Sequence, residues 1–473
     1  MDKSTTEEEG FGNYSGGYYS VEIGESFNRG RYVVQSKLGW GTFSTVWLAW
    51  DTQLNRYVAL KITKGTARFR EYANREIRFL KAIAKGDPED NECVVKLLDN
   101  FIHSGPNGHH VCLVLELLGD DLRTLLKHYN GKGIPLHMVK EICFHVLRGL
   151  DYLHRRLSII HTDLKPENIL LLSTIDPKKY PKKIGIPLKK DKSAIAASSS
   201  SVSSICMTGN QQTRLKEKGI LVDQDCGKAA NDEDEKLGVE AQGVKKKTWG
   251  NFKSLYDALD GKPLQRKRAT VSPSEKRKLL ESLDLKCKIA DLGNACEITK
   301  QYTSHIQTLN YRCPETLLHS PYSTPADIWS VACIAFELAT GAFLFNPQGK
   351  NSEDIVVDHL GLMMELLGVI PKEIALGGKL YAKFFDENGN LKGYRRLQCR
   401  PLINVLQESF GFSAKDADDF NDFLLLLLDF EPKDRPTAMQ AILHPWLTGG
   451  PPLLQPSSSQ ENEEIIPQDN TTV

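Results

Sequence analysis

Long apolar runs, paired cysteines and a surplus of charge of one sign are all missing from this sequence. Its longest strictly apolar stretches, such as 423–428, fall far short of the roughly 20 residues that a membrane-spanning helix requires. Residues 1–19 are acidic and rich in Gly, Ser and Tyr, without the basic start and apolar core of a secretory signal. The ten cysteines include no Cys-x-x-Cys pair, which fits neither a zinc site nor a disulfide framework. We therefore expect a protein of the cytosol or nucleus, with no membrane association and with reduced, mostly buried thiols.

The even balance of 60 basic and 60 acidic side chains conceals a local asymmetry. Residues 173–286 are rich in lysine and arginine, whereas 287–450 are modestly acidic and so permit a basic partner. The basic segment lacks the interleaved aromatic residues of an RNA-binding surface, so we expect no direct nucleic-acid binding. Its cluster at 266–268 is either a solvated linker or a nuclear-import signal.

Apolar periodicity predicts an α+β protein in which a small antiparallel sheet precedes a larger helical part. Runs rich in β-branched and aromatic residues predict strands at 32–38, 45–50, 57–63, 111–118 and 285–290. Apolar residues spaced by three and four predict helices at 69–84, 122–129 and 138–154, and helical patterns continue to 446.

Three segments carry too few apolar residues to offset the entropy of ordering them, so we predict that they are disordered. They are an acidic N-terminal tail (1–31), a basic spacer (173–285) and a tail rich in Pro, Ser and Glu (448–473). The spacer thus splits one structural unit into two pieces, 32–172 and 286–447.

A loop with two close glycines lies between the first two predicted strands. Glycines in a hairpin allow the backbone to approach the phosphates of a nucleotide, although this pattern also fits an ordinary turn, and Ser44 replaces a third glycine of the fuller pattern. The candidate nucleotide-binding residues are Leu38, Gly39, Trp40, Gly41, Thr42, Phe43, Ser44, Thr45 and Val46.

A lysine and a glutamate follow this loop. Lys61 lies on the next predicted strand, where it could pair with nucleotide phosphates if a carboxylate on the following helix held it in place, and Glu76 is the candidate. Either residue alone reads equally well as a solvated surface side chain. Together they form an arrangement that phosphoryl transfer to proteins requires.

The most informative segment is 160–170, which places an aspartate, a lysine and an asparagine in one loop. Asp163 can orient a substrate hydroxyl and accept its proton, Lys165 can neutralise charge on the transferring phosphoryl group, and Asn168 can ligate a divalent metal. The alternative is a polar turn that closes a helix. Downstream, Asp291 follows a short strand, where a Mg²⁺ ligand is expected.

In this order along the chain, the segments resemble the eukaryotic protein kinases over about residues 32–446, apart from the spacer. His161-Thr162-Asp163 is similar to the His-Arg-Asp of that family, and Asp291-Leu292-Gly293 to its Asp-Phe-Gly. Arg312-Cys313-Pro314-Glu315 resembles its Ala-Pro-Glu, and Asp327-Ile328-Trp329-Ser330 its aspartate-bearing helix beneath the catalytic loop.

The resemblance implies a bilobal fold, an ATP- and Mg²⁺-dependent phosphotransferase, and metal ligation by Asn168 and Asp291. It also assigns Glu116 and Leu118 to the nucleotide site and predicts that Glu315 pairs with Arg435. Phosphate-activated kinases commonly bind their activation-loop phosphate through the arginine before the catalytic aspartate. Here that position is Thr162, so we hypothesise activity without activation-loop phosphorylation.

Within the kinases, the motifs around 38–47, 161–168, 290–295 and 324–330, together with the spacer, resemble the serine/arginine-rich protein kinases. That subfamily phosphorylates Arg-Ser repeats in splicing factors, which implies Ser/Arg-rich substrates, a monomer, and residence in both cytoplasm and nucleus. Two alternatives remain, a dual-specificity kinase of the sister group and a silent scaffold that keeps the fold. The spacer argues against the first and the retained catalytic residues against the second.

The subfamily binds arginine-rich substrates through acidic residues of the large lobe. Asp358 and Glu365 match these acidic residues. Seven residues apart, they lie on one face of a helix, although a plain solvated face would show the same spacing. Three residues depart from the subfamily pattern, namely Ala342, Leu309 and Gln398. These departures leave the strength of substrate binding open, whereas we expect no effect on catalysis.

Overall fold

Six antiparallel strands form the sheet of the amino-terminal lobe, in the order β1-β2-β3-β4-β6-β5. The computed structural model describes residues 17–175, 280, 283–394 and 397–449. All of these belong to one unit that comprises Met1–Pro187 and Lys246–Val473, and a second unit, 188–245, lies outside the described residues. The strands are β1 (Ser26–Phe27), β2 (Tyr32–Trp40), β3 (Ser44–Asp51), β4 (Arg56–Thr63), β5 (Leu97–Gly105) and β6 (Gly108–Glu116).

Helix α1 (Ala67–Gly86) packs against this sheet through one apolar face. Its buried residues recur at the three- and four-residue spacing of a helix face, and Glu76 is the one charged residue among them. The face therefore directs the Glu76 carboxylate towards the sheet rather than towards water. The buried positions are Ala73, Glu76, Phe79, Leu80 and Ile83.

The second lobe is helical and is built around a helix that is buried on all sides. Every residue from Ala326 to Thr340 in that helix, α5, is buried, and α5 packs on α3. The helices are α2 (Leu122–His128), α3 (Leu136–Asp151), α4 (Pro314–Leu317), α5 (Pro325–Thr340), α6 (Ser352–Leu367), α7 (Lys372–Gly377), α8 (Tyr381–Phe384), α9 (Leu402–Asn404), α10 (Ala414–Leu427), α11 (Ala438–Ile442) and α12 (Pro445–Thr448).

Two small antiparallel pairs of strands lie in this lobe. Strand β7 (Ile159–Ile160) pairs with β10 (Cys296–Glu297), and β8 (Ile169–Leu171) pairs with β9 (Cys287–Ile289). Because β8 precedes the spacer and β9 follows it, the spacer leaves from one end of a two-stranded ladder and does not divide the core. The bilobal kinase fold with a split second lobe is thus confirmed.

The spacer boundaries at 173 and 285 were wrong by a few residues. Ile175 and Leu285 are buried, and the Ile175 amide donates a 2.8 Å hydrogen bond to Asp120. Isolated apolar residues at the edge of a polar segment carry too little pattern to reveal such packing. Most of the predicted spacer, 176–279 and 281–282, lies outside the described residues.

The predicted disorder of 1–31 is wrong for residues 17–31. Val21 and Phe27 are buried in the lobe core, and Phe27 pairs with Tyr32 across β1 and β2. These two residues belong to a segment that is mostly polar and small, so composition missed them. Residues 1–16 and 450–473 lie outside the described residues.

The eight cysteines within the described ranges are all free, and six of them are buried, as expected. Burial raises the pKa of the Cys143 thiol to about 12 and that of Cys93 to about 11, so these thiols are protonated at neutral pH. No helix of the described ranges is long and apolar enough to cross a bilayer.

Candidate active site

Lys61 stands between two carboxylates at the junction of the lobes. Its Nζ lies 2.7 Å from Glu76 Oε1 and 2.8 Å from Asp291 Oδ1. The Lys61 and Glu76 side chains are only 9% and 4% exposed, whereas Asp291 is 46% exposed. The nearby ammonium lowers the pKa of Asp291 to about 2, and although burial opposes it, the two carboxylates raise the pKa of Lys61. The lysine and Asp291 are therefore charged at neutral pH.

Strand register and backbone conformation bring these three groups together. Lys61 on β4 pairs with Val46 on β3 and with Leu113 on β6, and this pairing fixes its position along the strand. Asp291 follows β9 with a left-handed φ of 61°, an uncommon conformation that turns the chain as it leaves the strand. A Cβ on Gly293 would lie 3.3 Å from Asp291 Oδ1, so glycine leaves room for the carboxylate.

Asp163 is the centre of a second polar cluster, on the loop between β7 and β8. Lys165 Nζ lies 2.9 Å from its Oδ2, and the Thr308 hydroxyl donates a 2.6 Å hydrogen bond to its Oδ1. The Asn168 amide donates to the Asp163 carbonyl at 2.8 Å, and Asn294 donates to Oδ2 at 3.3 Å. The carboxylate is thus held in one orientation by three side chains, from Lys165, Thr308 and Asn294.

A buried aspartate beneath this loop fixes its backbone. Asp327, on α5, accepts hydrogen bonds from the amides of His161 at 2.8 Å and Thr162 at 2.9 Å, and from the ring of His154 at 2.8 Å. Burial alone would raise the pKa of Asp327, but these donors hold it below its ordinary value. The structural role that the resemblance assigned to Asp327 is therefore confirmed.

The segment after Asp291 is held to the loop by polar contacts. The Thr162 hydroxyl donates to the Asn294 carbonyl at 2.9 Å, and the backbone amide of Gln307 donates to the Thr162 carbonyl at 2.8 Å. The predicted pair of Glu315 and Arg435 is confirmed as a buried bidentate ion pair with both distances at 2.8 Å. Each side of the segment is thus fixed without a phosphate group.

A cavity of about 730 Å³ opens between the two lobes. It is lined by nine of the predicted residues, namely Gly41, Thr42, Phe43, Ser44, Lys61, Glu76, Asp163, Lys165 and Asp291. Those that do not line it are Leu38, Gly39, Trp40, Thr45, Val46, Glu116, Leu118 and Asn168. The residues predicted to contact the nucleotide phosphates therefore line the same cavity as Asp163 and Lys165 of the catalytic loop.

The Glu116 carboxylate points to a different environment. Lys288 Nζ lies 2.7 Å from its Oε1, and the Lys96 amide donates to the same oxygen at 2.8 Å. Lys288, which is 3% exposed, also contacts Asp90 at 2.6 Å. The carboxylate is thus committed to an internal ion network and is not free to contact a nucleotide.

The side chains of Asn168 and Asp291 fit a magnesium ion. Asn168 precedes β8 and Asp291 follows β9, and because Ile169 pairs with Ile289 in the antiparallel ladder, both lie at the same end of it. The Asn168 amide nitrogen is engaged by Asp163, which leaves its oxygen as a ligand. Carboxylate and amide oxygens are the ligands that Mg²⁺ prefers.

Asp358 and Glu365, the two candidate residues for binding the substrate, lie on one side of α6 and do not line the cavity. Asp358 accepts a 2.7 Å hydrogen bond from the Gln348 amide, and Glu365 accepts one of 3.0 Å from the Gln398 amide. Burial raises the pKa of Asp358. Within the described ranges, neither carboxylate has an ion-pair partner.

Tyr394 packs on the same face of α6. A Cβ on Gly361 would fall 2.0 Å from the Tyr394 ring, so only glycine admits the ring there. Of the three departures from the subfamily pattern, Gln398 borders Glu365 through its backbone, while Ala342 follows α5 and Leu309 lies in the turn before Tyr311. None of the three contacts the Asp163 cluster through a hydrogen bond.

Sequence reasoning missed two groups that contact Asp163. Thr308 and Asn294 lie 145 and 131 residues from Asp163, so no local spacing links them. The one available signal for Asn294 was its position three residues after Asp291. Tyr18, which contacts the glycine-rich loop, was missed because it fell in the predicted tail.

Three features together define a protein kinase. They are a small sheet followed by a helical lobe, a buried lysine between two carboxylates, and a loop aspartate beside a second lysine. Comparison with known proteins agrees, because residues 32–182 and 278–447 match the protein kinase domain family.

The serine/threonine-protein kinase SRPK of Physarum polycephalum is 40% identical over 453 residues, covering 95% of this chain and 93% of the relative. Protein kinase dsk1 of Schizosaccharomyces pombe is 37% identical, covering 94% and 86%. Human SRSF protein kinase 3 is 37% identical, covering 91% and 88%. The chain belongs to the SR-protein kinase family of serine/threonine protein kinases.

Proposed function

We propose that the protein transfers the γ-phosphoryl group of ATP, with Mg²⁺, to serines in Arg-Ser repeats of splicing factors. The observation that carries the proposal is the intact pair of clusters around Lys61 and Asp163, which lines one cavity. The names of the relatives, which include SRSF protein kinase, support splicing factors as the substrate class.

The glycine-rich loop, Leu38 to Val46, covers the nucleotide in this proposal, and Lys61 holds its phosphates. Glu76 fixes the lysine, because it is the buried partner at 2.7 Å. Glu116, the last residue of β6, and Leu118, two residues after it, contact the base end of the nucleotide. Positioning and electrostatic stabilisation are the main contributions that a protein makes to phosphoryl transfer.

The catalytic step uses the Asp163 cluster. Asp163 orients the serine hydroxyl and accepts its proton as the oxygen attacks the γ-phosphorus, and the bond to the ADP oxygen breaks in line. Lys165 stabilises the charge of the transferring group. Magnesium, when bound by Asn168 and Asp291, supplies charge neutralisation on the phosphates.

Asp358 and Glu365 bind arginine side chains of the substrate. Both carboxylates are half-buried on one face of α6 and have no ion-pair partner in the described ranges. A guanidinium group of the substrate would supply the positively charged partner. This acidic surface suits a repeat that alternates arginine with serine.

Activity does not require phosphorylation of the activation segment, which runs from Asp291 to Glu315. Thr162 replaces the usual phosphate-binding arginine, and its hydroxyl bonds the Asn294 carbonyl instead. Complete phosphatase treatment should leave activity within about twofold of the untreated enzyme. A large loss that rephosphorylation restores would disprove this part of the proposal.

The protein works as a monomer in cytoplasm and nucleus, on protein substrates and without direct nucleic-acid or membrane binding. The basic cluster at 266–268, which lies outside the described residues, is a candidate import signal. The test is to compare the distribution of the tagged wild-type protein with that of a variant carrying alanines at 266–268. Equal nuclear fractions would remove the import role.

Transfer from labelled ATP to an Arg-Ser peptide tests the enzymatic part of the proposal. Wild-type protein should transfer label only with Mg²⁺, and Lys61→Met should lose most of the activity while it keeps its fold by circular dichroism. A wild-type protein that binds nucleotide yet transfers no label to any peptide would instead support a silent scaffold.

A further inference from the structure

Tyr18 contacts the glycine-rich loop from outside the region that matches the protein kinase family, which begins at residue 32. Its hydroxyl donates a 2.8 Å hydrogen bond to the Gly41 carbonyl and lies 3.3 Å from the Thr42 carbonyl. Gly41 and Thr42 both line the cavity between the lobes. A side chain of the N-terminal segment therefore contacts the part of the loop that faces the proposed phosphate site.

The Tyr18 segment is fastened to the body of the sheet. The Gly65 amide donates to the Gly17 carbonyl at 2.9 Å, and the Asn107 side chain donates to the Tyr18 carbonyl at 2.6 Å. Lys64 Nζ lies 4.3 Å from the centre of the Tyr18 ring, within the range of a cation–π contact. Because these partners follow β4 or connect β5 with β6, Tyr18 ties the loop to fixed parts of the lobe.

The bond to Gly41 determines how the loop presents its amides. A planar trans peptide directs its carbonyl and its N–H in opposite directions. When the Gly41 carbonyl faces Tyr18, the Thr42 N–H must point away from Tyr18. The longer contact to the Thr42 carbonyl likewise directs the Phe43 N–H away from Tyr18. A loop that contains Gly39 and Gly41 would otherwise rotate these peptides at little cost.

We propose that Tyr18 is a positioning residue that holds the glycine-rich loop in its phosphate-binding conformation. The proposal rests on the nucleotide role proposed above for this loop. Tyr18 acts on the loop backbone and has no part in the transfer step, so its effect falls on ATP binding rather than on chemistry.

Tyr18→Phe removes the hydroxyl alone and tests the proposal. The matched control is Tyr19→Phe, because the neighbouring hydroxyl donates to Glu25 at 2.6 Å and not to the loop. Tyr18→Phe should raise KM for ATP about three- to tenfold, the effect of one lost hydrogen bond, and leave kcat and the peptide KM nearly unchanged. Amide hydrogen exchange at 39–44 should accelerate in this variant only, while both variants keep the wild-type melting temperature.

Two results would overturn the proposal. Tyr18→Phe could match the wild type in KM for ATP and in loop exchange, or Tyr19→Phe could raise KM equally, which would indicate a general effect of the N-terminal segment. Either result leaves the proposed function intact as long as the wild-type protein binds ATP. A wild-type protein that does not bind ATP would remove the proposed function itself.

Discussion

The guanidinium carbon of Arg75 lies 4.0 Å from the centre of the Tyr302 ring. Arg75 is next to Glu76 on α1, and Tyr302 belongs to the segment between Asp291 and Glu315. Arg78, also on α1, forms a second link to this part of the chain through Glu297 at 2.9 Å. The helix that supplies the partner of Lys61 is therefore tied to the activation segment by side-chain contacts that need no phosphate.

Tyr302→Ala should lower kcat roughly 2- to 5-fold, since a cation–π contact at an exposed site contributes about 0.5–1 kcal/mol and Tyr302 is 42% exposed. Tyr302→Phe keeps the ring and should retain most of the activity. Arg75→Met should resemble Tyr302→Ala, and the double variant should be little worse than either, because both changes remove one contact. Steady-state kinetics on the wild type and the four variants measures these changes.

Arg155→Met is the control for loss of an arginine, because Arg155 pairs with Asp151 on the exposed side of the second lobe. It should keep wild-type activity. Additive losses in the double variant, or a Tyr302→Phe protein as slow as Tyr302→Ala, would contradict the coupling.

Asp163→Ala should reduce turnover about 10²- to 10⁴-fold, because it removes the general base. The loss should appear in kcat, while the dissociation constant for ATP changes little, since Lys61 and the glycine-rich loop are untouched. Isothermal titration with ATP and a transfer assay separate the two quantities. Near-normal turnover in this variant would refute the role assigned to Asp163.

The fold was largely predictable, because β2, β3, β4 and β6 carry clear strand patterns and α1 a clear helix face. Strand β5 was missed. It lies at the edge of the sheet and every one of its residues is at least partly exposed, so Asp99, Asn100 and His103 interrupt the apolar pattern. Buried and exposed positions alternate weakly in an edge strand, and sequence reasoning depends on that alternation.

For the site, local motifs identified Lys61 with its partner Glu76 and the two aspartates, but not the two side chains that orient Asp163. Lys61, Asp163 and Asp291 lie in short recognisable segments, whereas Thr308 reaches Asp163 only through the folded activation segment. Glu116 shows the converse case. Its position at the end of β6 was informative, but its carboxylate is engaged by Lys288, a contact that the local sequence could not reveal.

Asp358→Asn with Glu365→Gln should raise KM for an Arg-Ser peptide about tenfold or more, because two charge-assisted contacts to guanidinium groups are lost. The KM for ATP should not change. Glu353→Gln, an exposed acid in the first turn of the same helix, is the matched control and should behave as the wild type. An equal KM in all three proteins would place substrate binding elsewhere.

His359 should make stability depend on pH. It is fully buried against Phe345, neither ring nitrogen has a hydrogen-bond partner among the described residues, and burial, with Arg312 nearby, lowers its pKa to about 3. The unfolded chain takes up this proton near pH 6.5 and the folded chain does not. The free energy of unfolding should therefore fall between pH 6.5 and 3, by about 2 kcal/mol at pH 5 from this residue.

Urea unfolding at pH 7 and pH 5 measures this contribution, with His359→Leu as the comparison. The variant should lose about 2 kcal/mol less on acidification than the wild type, because other titrating groups are common to both proteins. Equal losses in the two proteins would show that His359 is not the responsible group.

The central claim is tested most directly by initial rates of phosphoryl transfer from labelled ATP, in the presence of Mg²⁺. The rate on an Arg-Ser repeat peptide is compared with the rate on a Lys-Ser peptide of equal charge and length. We predict clear transfer to Arg-Ser and a strong preference over Lys-Ser, since planar guanidinium groups match carboxylates better than ammonium groups do. Equal rates on both peptides would contradict the assignment of Arg-Ser substrates, and no transfer to either would contradict the proposed activity.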